Sequence, residues 1–384
     1  MPEIKNLKKA AGRILKAVEK KERIILYGDS DLDGMSSVIV LKEAIKNLGG
    51  EVRAVYFPDR EVEGYGLNES ALQYLKKYAP ALLILLDCGI GNFEEVNLAK
   101  KLGIEVIIID HHEPLEKLPL ASVVVNVKQK GDKYPFKQFA AAGIVYRLAE
   151  ALLKEKLSTS LRKNFLELVA LATISDMMPK AEDNLEFLGE GLTSLLHTLR
   201  PGLKVFWNLG SVGKENIGQF SQQVISACHS GKNNNHLNDG YLLLISSSIK
   251  EAENLAKQLL ENAELRYGKI KDVFEEVKER ISNKPEEKII FEGDKSWPVL
   301  IAGPVSSKIC QIYKKPVFLY SEKKGYCQGA VRTPVGLDGV KAMRHCSKDL
   351  ETYGGHPQAG GFRVKKEDVD NFKDCLVQYF KNKR

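Results

Sequence analysis

The sequence is poor in cysteine and tryptophan, with six and two among 384 residues. Cys88, Cys228, Cys310, Cys327, Cys346 and Cys375 are widely spaced and form no CxxC pair. That spacing argues against a zinc ribbon and against a disulfide scaffold, and makes a reducing cytoplasm the expected compartment. No stretch has the apolar length of a membrane span. Met1 to Glu22 alternates charged with apolar residues and lacks a signal-peptide core. Internal repeats and low-complexity tracts are also missing. What remains is a chain with 28% charged and 43% hydrophobic residues. It should fold as two or three packed domains.

The formal charge of +7 is unevenly placed. Residues 290–384 hold 17 Lys/Arg against 10 Asp/Glu, whereas residues 1–289 hold 40 of each sign. A basic terminal block beside a neutral body suits a polyanion-facing module. On charge alone a solvated basic surface is the simpler reading.

The first half alternates strand and helix patterns. Helical spacing runs over Ile4 to Lys21 and Val38 to Leu48. Strand-like runs cover Arg23 to Tyr27, Glu51 to Phe57, Ala81 to Leu86, Glu105 to Ile109 and Ser122 to Val125. Continuous β-branched runs separated by helices describe a parallel, Rossmann-like α/β sheet covered on both faces. Ala140 to Lys156 and Leu161 to Ile174 read as helices. Ser230 to Asn238, with its triple Asn, reads as an exposed loop. Ile249 to Ile281 reads as one long connector helix, with Pro285 just beyond it. From Lys288 short strands are expected at Ile289 to Phe291, Pro298 to Ile301 and Pro316 to Tyr320, giving a smaller α+β domain.

Three predicted strands run straight into acids: Asp29-Ser30-Asp31-Leu32-Asp33-Gly34, Asp87-Cys88-Gly89 and Asp110-His111-His112. In parallel α/β sheets ligands bind outside the carboxyl ends of the strands. Neighbouring strands would therefore gather five carboxylates and two imidazoles on one rim, where they repel unless cations are present. Mixed O and N ligands suit Mn²⁺ or Mg²⁺, and seven exceed what one ion needs, which points to two metals. Each acid alone is more often a helix N-cap or turn residue. The Asp-x-Asp-x-Asp-Gly spacing also fits the start of an EF-hand loop, but the twelfth position is Val40 and not Glu. A nucleotide-binding Rossmann enzyme needs Gly-x-Gly-x-x-Gly after the first strand, where this chain has three acids.

Asp-His-His after a strand, with Asp-x-Asp-x-Asp-Gly upstream, resembles the DHH phosphoesterases, and within them the RecJ-type single-strand exonucleases. The similarity follows the family order over nearly the whole chain. It takes in Tyr27 to Ser37, Asp59 to Leu67, Asp87 to Ile90 and Asp110 to His112. Beyond these it continues through Tyr134-Pro135-Phe136, Ala142-Gly143, Ser175 to Pro179 and the glycine-rich Gly354 to Gly361 of a DHHA1-like partner domain. The resemblance implies a catalytic domain over 1–248, a connector helix over 249–283 and a DHHA1 substrate-binding domain over 284–384.

It further implies that Asp29, Asp31, Asp33, Asp87, His111 and Asp176 hold two divalent cations, Mn²⁺ ahead of Mg²⁺. Which first-motif acids bind directly stays open. Asp110 would orient the neighbouring imidazole, and His112 would face the scissile phosphate. Asp176 could equally cap its helix. Arg332, Gly354, Gly355 and His356 would grip phosphate, although alone they read as a surface arginine and a tight turn. The activity so implied is hydrolysis of single-stranded DNA to mononucleotides, 5′ to 3′, in a cleft between the domains.

Two departures from the family pattern stand out. Ile225 to Lys232 replaces an Asn-Ala-x-Gly-Arg segment, with Lys232 in place of the arginine. No OB-fold follows, so weaker grip on the strand or a single-strand-binding or repair partner protein is expected. A phosphodiesterase for nanoRNA, cyclic dinucleotides or pAp is the nearest alternative. A non-catalytic replication scaffold is a further one, disfavoured because every acidic motif is present.

Overall fold

The computed structural model describes residues 3–209, 213, 216–283, 285 and 287–381. Residue 284 and residues 382–384, at the two ends of the expected second domain, lie outside the described residues. The chain divides into two compact units, Met1–Ala263 and Glu264–Arg384.

The first unit is built on strands β1 (Ile24–Gly28), β2 (Val52–Tyr56), β3 (Ala81–Leu86), β4 (Ile104–Ile109) and β5 (Val123–Val125). They form a sheet in the order β2-β1-β3-β4-β5, with every neighbouring pair parallel. β1 and β3 are buried along their whole length, as strands covered on both faces must be. Alternate residues serve two cores. Leu82, Ile84, Leu86, Ile107 and Ile109 pack with the helices Leu7–Glu19, Leu32–Asn47, Ala141–Leu153 and Thr159–Ser175. Leu83, Leu85, Val106 and Ile108 pack with the helices Glu69–Leu75 and Phe93–Lys101. The helix Leu32–Asn47 is buried without a break from Leu32 to Leu41. That stretch is covered by the sheet and by the helices Ala141–Leu153 and Thr159–Ser175.

Ser230 to Asn238 is not an open loop. Strands β6 (Asn233–Asn234) and β7 (Leu237–Asn238) form a small hairpin. Asn235 and His236 both have positive φ, 49° and 64°, as a two-residue type I′ turn requires.

The second unit holds β8 (Ile290–Asp294), β9 (Val317–Glu322), β10 (Tyr326–Arg332), β11 (Thr352–His356) and β12 (Ala359–Lys365). Their order is β11-β12-β10-β9-β8. The β8–β9 pair is parallel and the rest antiparallel. Pro298 to Ile301, expected as a strand, instead opens the helix Val299–Tyr313, with Pro298 at its N-cap. Proline suits the start of a helix, and a four-residue apolar run does not tell strand from buried helix. Cys346 and Cys375 are joined by a disulfide at a Cα separation of 5.9 Å, while Cys88, Cys228, Cys310 and Cys327 are buried thiols. Spacing alone gave no hint of this single bridge.

The helix Ile249–Ser282 supplies Ala252, Ala256 and Leu259 to a core of the first unit and Ile270 and Val277 to a core of the second. Among the described residues no helix is long and apolar enough to cross a membrane.

Candidate metal centre

Four positions at the carboxyl edge of the sheet follow directly from strand ends. Asp29 follows β1, Asp87 follows β3, Asp110 follows β4 and Asn126 follows β5. The sheet ladder continues into three of them: the Asp29 N–H donates to Leu86 O, Asp87 to Ile109 O and Asp110 to Val125 O. The acids therefore stand side by side. Asp29, Asp33, Asp87, Asp110 and His111 are all buried.

The first motif shows how a turn residue can also be a site residue. Asp31 does cap the helix Leu32–Asn47, accepting a hydrogen bond from Gly34 N at 3.0 Å. Asp33 reaches the N-terminus of the helix Ala141–Leu153, where its two oxygens accept from Ala141 N at 2.6 Å and Ala142 N at 2.8 Å. Gly34 is needed for close approach, since a Cβ there would lie 2.3 Å from Asp29 O. Asp87 adopts a left-handed φ of 61°. Such geometry costs free energy and concentrates at functional sites.

Asp110 is the best-satisfied acid. Its Oδ1 accepts from the backbone N–H groups of His111 and His112 and from His112 Nδ1 at 2.8 Å, while Oδ2 accepts from Ile90 N at 3.0 Å. Burial pushes its pKa up, but His112 and these hydrogen bonds outweigh burial and hold it below the usual carboxylate range. The imidazole that Asp110 orients is thus that of His112. The His111 ring is held by another group, the Phe139 carbonyl, 2.7 Å from Nδ1.

His111 Nε2 lies 3.2 Å from Asp87 Oδ1, 3.5 Å from Asp176 Oδ2 and 3.8 Å from Asp33 Oδ2. Burial, followed by the neighbouring His112 charge, lowers the His111 pKa to about 3, so the ring is neutral near pH 7. A carbonyl can only accept, which places the ring proton on Nδ1 and a lone pair on Nε2. That lone pair faces three carboxylates.

Burial pushes Asp33 and Asp87 well above the ordinary carboxylate range, reinforced by Asp176 and Asp31 at Asp33 and by Asp33 and Asp31 at Asp87. Asp176, the C-cap of the helix Thr159–Ser175, rises to about 7, through burial and then Asp31. Asp87 Oδ1 and Asp176 Oδ2 are buried without a hydrogen-bond partner among the described residues. Within the first unit three donor sets have all their ligand atoms within 4.8 Å of one another: Asp33 with Asp87 and His111, Asp29 with Asp31 and Asp87, and Asp87 with Asp110 and His112. Asp87 belongs to all three. Carboxylates and an imidazole lone pair converging in low dielectric are a donor set that fits divalent cations.

In the second unit Arg332 ends β10, and Gly354, Gly355 and His356 lie on β11. Ala359 of β12 pairs with Arg332 on one side and His356 on the other, so these two residues flank one strand end. Gly355 has φ 125°, and a Cβ there would meet Ala359 O at 2.5 Å. Glycine is required at that crossing.

The family model described as "DHH family, N-terminal domain" matches residues 23–173, and that of the DHHA1 domain matches residues 286–382. The chain therefore carries a DHH N-terminal domain and a DHHA1 domain. It is 33% identical to the single-stranded-DNA-specific exonuclease RecJ of Bacillus subtilis over 99% of this chain and 48% of the relative. It is 30% identical to RecJ of Thermus thermophilus over 98% of this chain and 54% of the relative. The chain thus spans about half the length of these curated relatives. Its fold matches a crystal structure of exonuclease RecJ bound to manganese with a TM-score of 0.78, at 26% identity, over 100% of this chain and 96% of the other.

Within this DHH domain the sequence reading missed Arg60. Its Nε donates to Asp29 Oδ1 at 2.7 Å, and its Nη2 donates to Asp29 Oδ2 and, at 2.9 Å, to Asp31 Oδ2. A guanidinium clamped on two first-motif acids keeps Asp31 below its ordinary range against the upward push of burial. Tyr65 was missed as well. Its hydroxyl donates to Asp87 O at 3.0 Å and lies 3.1 Å from His112 Nδ1. Both residues fall in the DHH-like segment 59–67, where an Asp-Arg-Glu run gave the only signal.

Proposed function

We propose that this chain is a metal-dependent phosphodiester hydrolase that degrades single-stranded DNA from the 5′ end to mononucleotides, as a RecJ-type exonuclease. The observation carrying the reading is the convergence of Asp29, Asp31, Asp33, Asp87, His111 and Asp176, with buried oxygens of Asp87 and Asp176 left without hydrogen bonds among the described residues. In this reading residues 1–248 form the catalytic domain, 249–283 the connector helix and 284–384 the substrate-binding domain. The six side chains hold two divalent cations, Mn²⁺ in preference to Mg²⁺. A solved structure of exonuclease RecJ bound to manganese supports a divalent-cation site. Divalent cations held there supply Lewis acidity and a water of lowered pKa.

The chain's own residues do the rest. Asp110 fixes the His112 ring. Although burial opposes protonation of His112, Asp110 raises its pKa above the ordinary value. In its protonated form His112 presents a ring N–H to a phosphate oxygen on which negative charge builds. The Tyr65 hydroxyl, which donates to Asp87 O, lies 3.1 Å from Nδ1 of the same ring. Arg332 and His356, together with the excess positive charge of residues 290–384, give the second unit the chemistry to bind a phosphodiester backbone. A single-strand-binding or repair protein is the partner class this reading expects. A cytoplasmic setting is part of this reading: the four buried thiols suit it, whereas the Cys346–Cys375 bridge does not.

The test is incubation of the protein and Mn²⁺ with single strands of DNA and RNA labelled at either end, alongside a dinucleotide. Release of labelled mononucleotide first from the 5′-labelled DNA strand is expected. Cleavage of the dinucleotide alone would assign the chain to short-substrate phosphodiesterases. No cleavage and no Mn²⁺ binding would assign it to the scaffolds.

A further inference from the structure

The β6–β7 hairpin docks on the segment that carries Arg60. Asn233 Nδ2 lies within donor distance of three oxygens: Pro58 O at 2.6 Å, Phe57 O at 3.1 Å and Ser30 Oγ at 3.2 Å. Its Oδ1 accepts from Asn238 Nδ2 at 2.8 Å, and Asn238 caps the helix Asp239–Ile245 through Gly240 N. The tip of the hairpin grips the same segment from its other side. His236 O accepts from Phe57 N at 2.9 Å, and the His236 ring stacks on Tyr56 at 4.2 Å. Phe57 thus has its N–H and its C=O both held by the hairpin.

Ser30 stands between Asp29 and Asp31, and its hydroxyl donates to Pro58 O. Asn233 therefore joins the first-motif turn to the 57–58 backbone at one point. Two residues further on, Arg60 reaches back to Asp29 and Asp31. Without Asn233 two backbone carbonyls lose a donor, and the 57–60 segment loses the tie that fixes its distance from the acids.

We infer that Asn233 is a positioning residue for Arg60, and that the hairpin is the brace setting the guanidinium against Asp29 and Asp31. The kinetic arm below rests on the function proposed above, whereas the exchange arm is independent of it.

In the exchange arm, Asn233→Ala speeds amide hydrogen exchange in the 57–60 segment about tenfold. Asn234→Ala, which changes an exposed neighbour, leaves it unaltered. Unchanged exchange in Asn233→Ala overturns the inference whatever the chain's activity.

In the kinetic arm, with Mn²⁺ and a 5′-labelled single strand, Asn233→Ala lowers kcat/KM about tenfold in the native background and less than twofold in an Arg60→Ala background. Asn233→Asp, which keeps the shape but turns the donor into an acceptor, reproduces the loss at an unchanged thermal midpoint. Equal losses in both backgrounds would mean that Asn233 acts on folding in general and would overturn the positioning role. A protein that cleaves no strand but shows the exchange change retains the brace and refutes the nuclease reading.

Discussion

Asp87→Asn should make the metal-free protein more stable while removing its response to metal. Asparagine has nearly the same shape and tolerates the left-handed backbone at this position, where φ is 61°. The native carboxylate is buried, its Oδ1 has no hydrogen-bond partner among the described residues, and its pKa is pushed well up by burial and then by Asp33 and Asp31. At pH 7 the cost of keeping this group is capped by that of protonating an ordinary Asp. Three pH units at about 1.4 kcal/mol each give about 4 kcal/mol. Half of that, about 2 kcal/mol, is a fair expectation once the neighbouring acids relax. A gain of this size raises Tm by about 4–8 °C in a unit of this length.

Metal reverses the order. A ligand at 100 times its Kd stabilises the native state by about 2.7 kcal/mol, and the variant, missing the acid common to three donor sets, forgoes that gain. The assay is differential scanning calorimetry of both proteins in EDTA and in Mn²⁺. The curves should cross: the variant melts higher in chelator, the native protein higher in Mn²⁺. A variant that melts lower in EDTA refutes the crowding argument. Equal Mn²⁺ gains in both proteins refute Asp87 as a ligand.

Three further outcomes are expected. Gly34→Ala forces a Cβ to within 2.3 Å of Asp29 O, costing about 1–3 kcal/mol in urea denaturation and weakening Mn²⁺ affinity measured by calorimetry. Glu167 is buried and accepts from Ser194 and Thr198 hydroxyls. Burial raises its pKa despite those bonds. Its native form therefore holds a proton that the unfolded form releases, and stability falls as pH rises from the unfolded pKa through the folded one. Glu167→Gln should flatten that slope in urea titrations run as a pH series. Removing the Cys346–Cys375 bridge, 29 residues apart in sequence, should lower the stability of the second unit by about 2–4 kcal/mol, read from melting of Cys346→Ser/Cys375→Ser against the native chain.

The sheet and its acidic rim were legible because they depend on local patterns. Apolar runs such as Ala81–Leu86 are unbroken and closed by a single acid, and a parallel sheet brings all such ends to one edge. Arg60 was not legible because nothing in its own segment tells which acids it meets. It lies 31 residues from Asp29, and only the β1–β2 pairing brings the two together. The hairpin at Asn233 was hidden for the opposite reason. Its polar composition is that of a loop, and its order comes from partners 175 to 203 residues away. Pro298 to Ile301 was misread because four residues are too few to show a period.

The proposed ligands run from Asp29 to Asp176, at the ends of β1, β3, β4 and the helix Thr159–Ser175 and at the start of the helix Leu32–Asn47. No short piece of the chain can therefore carry the centre: a fragment ending before residue 176 lacks an acid, and one starting after residue 33 lacks three. Loops of this length are closed only when the surrounding core has formed. Metal uptake should consequently be among the last events in folding, and the appearance of Mn²⁺ affinity during refolding would serve as a clock for completion of the first unit.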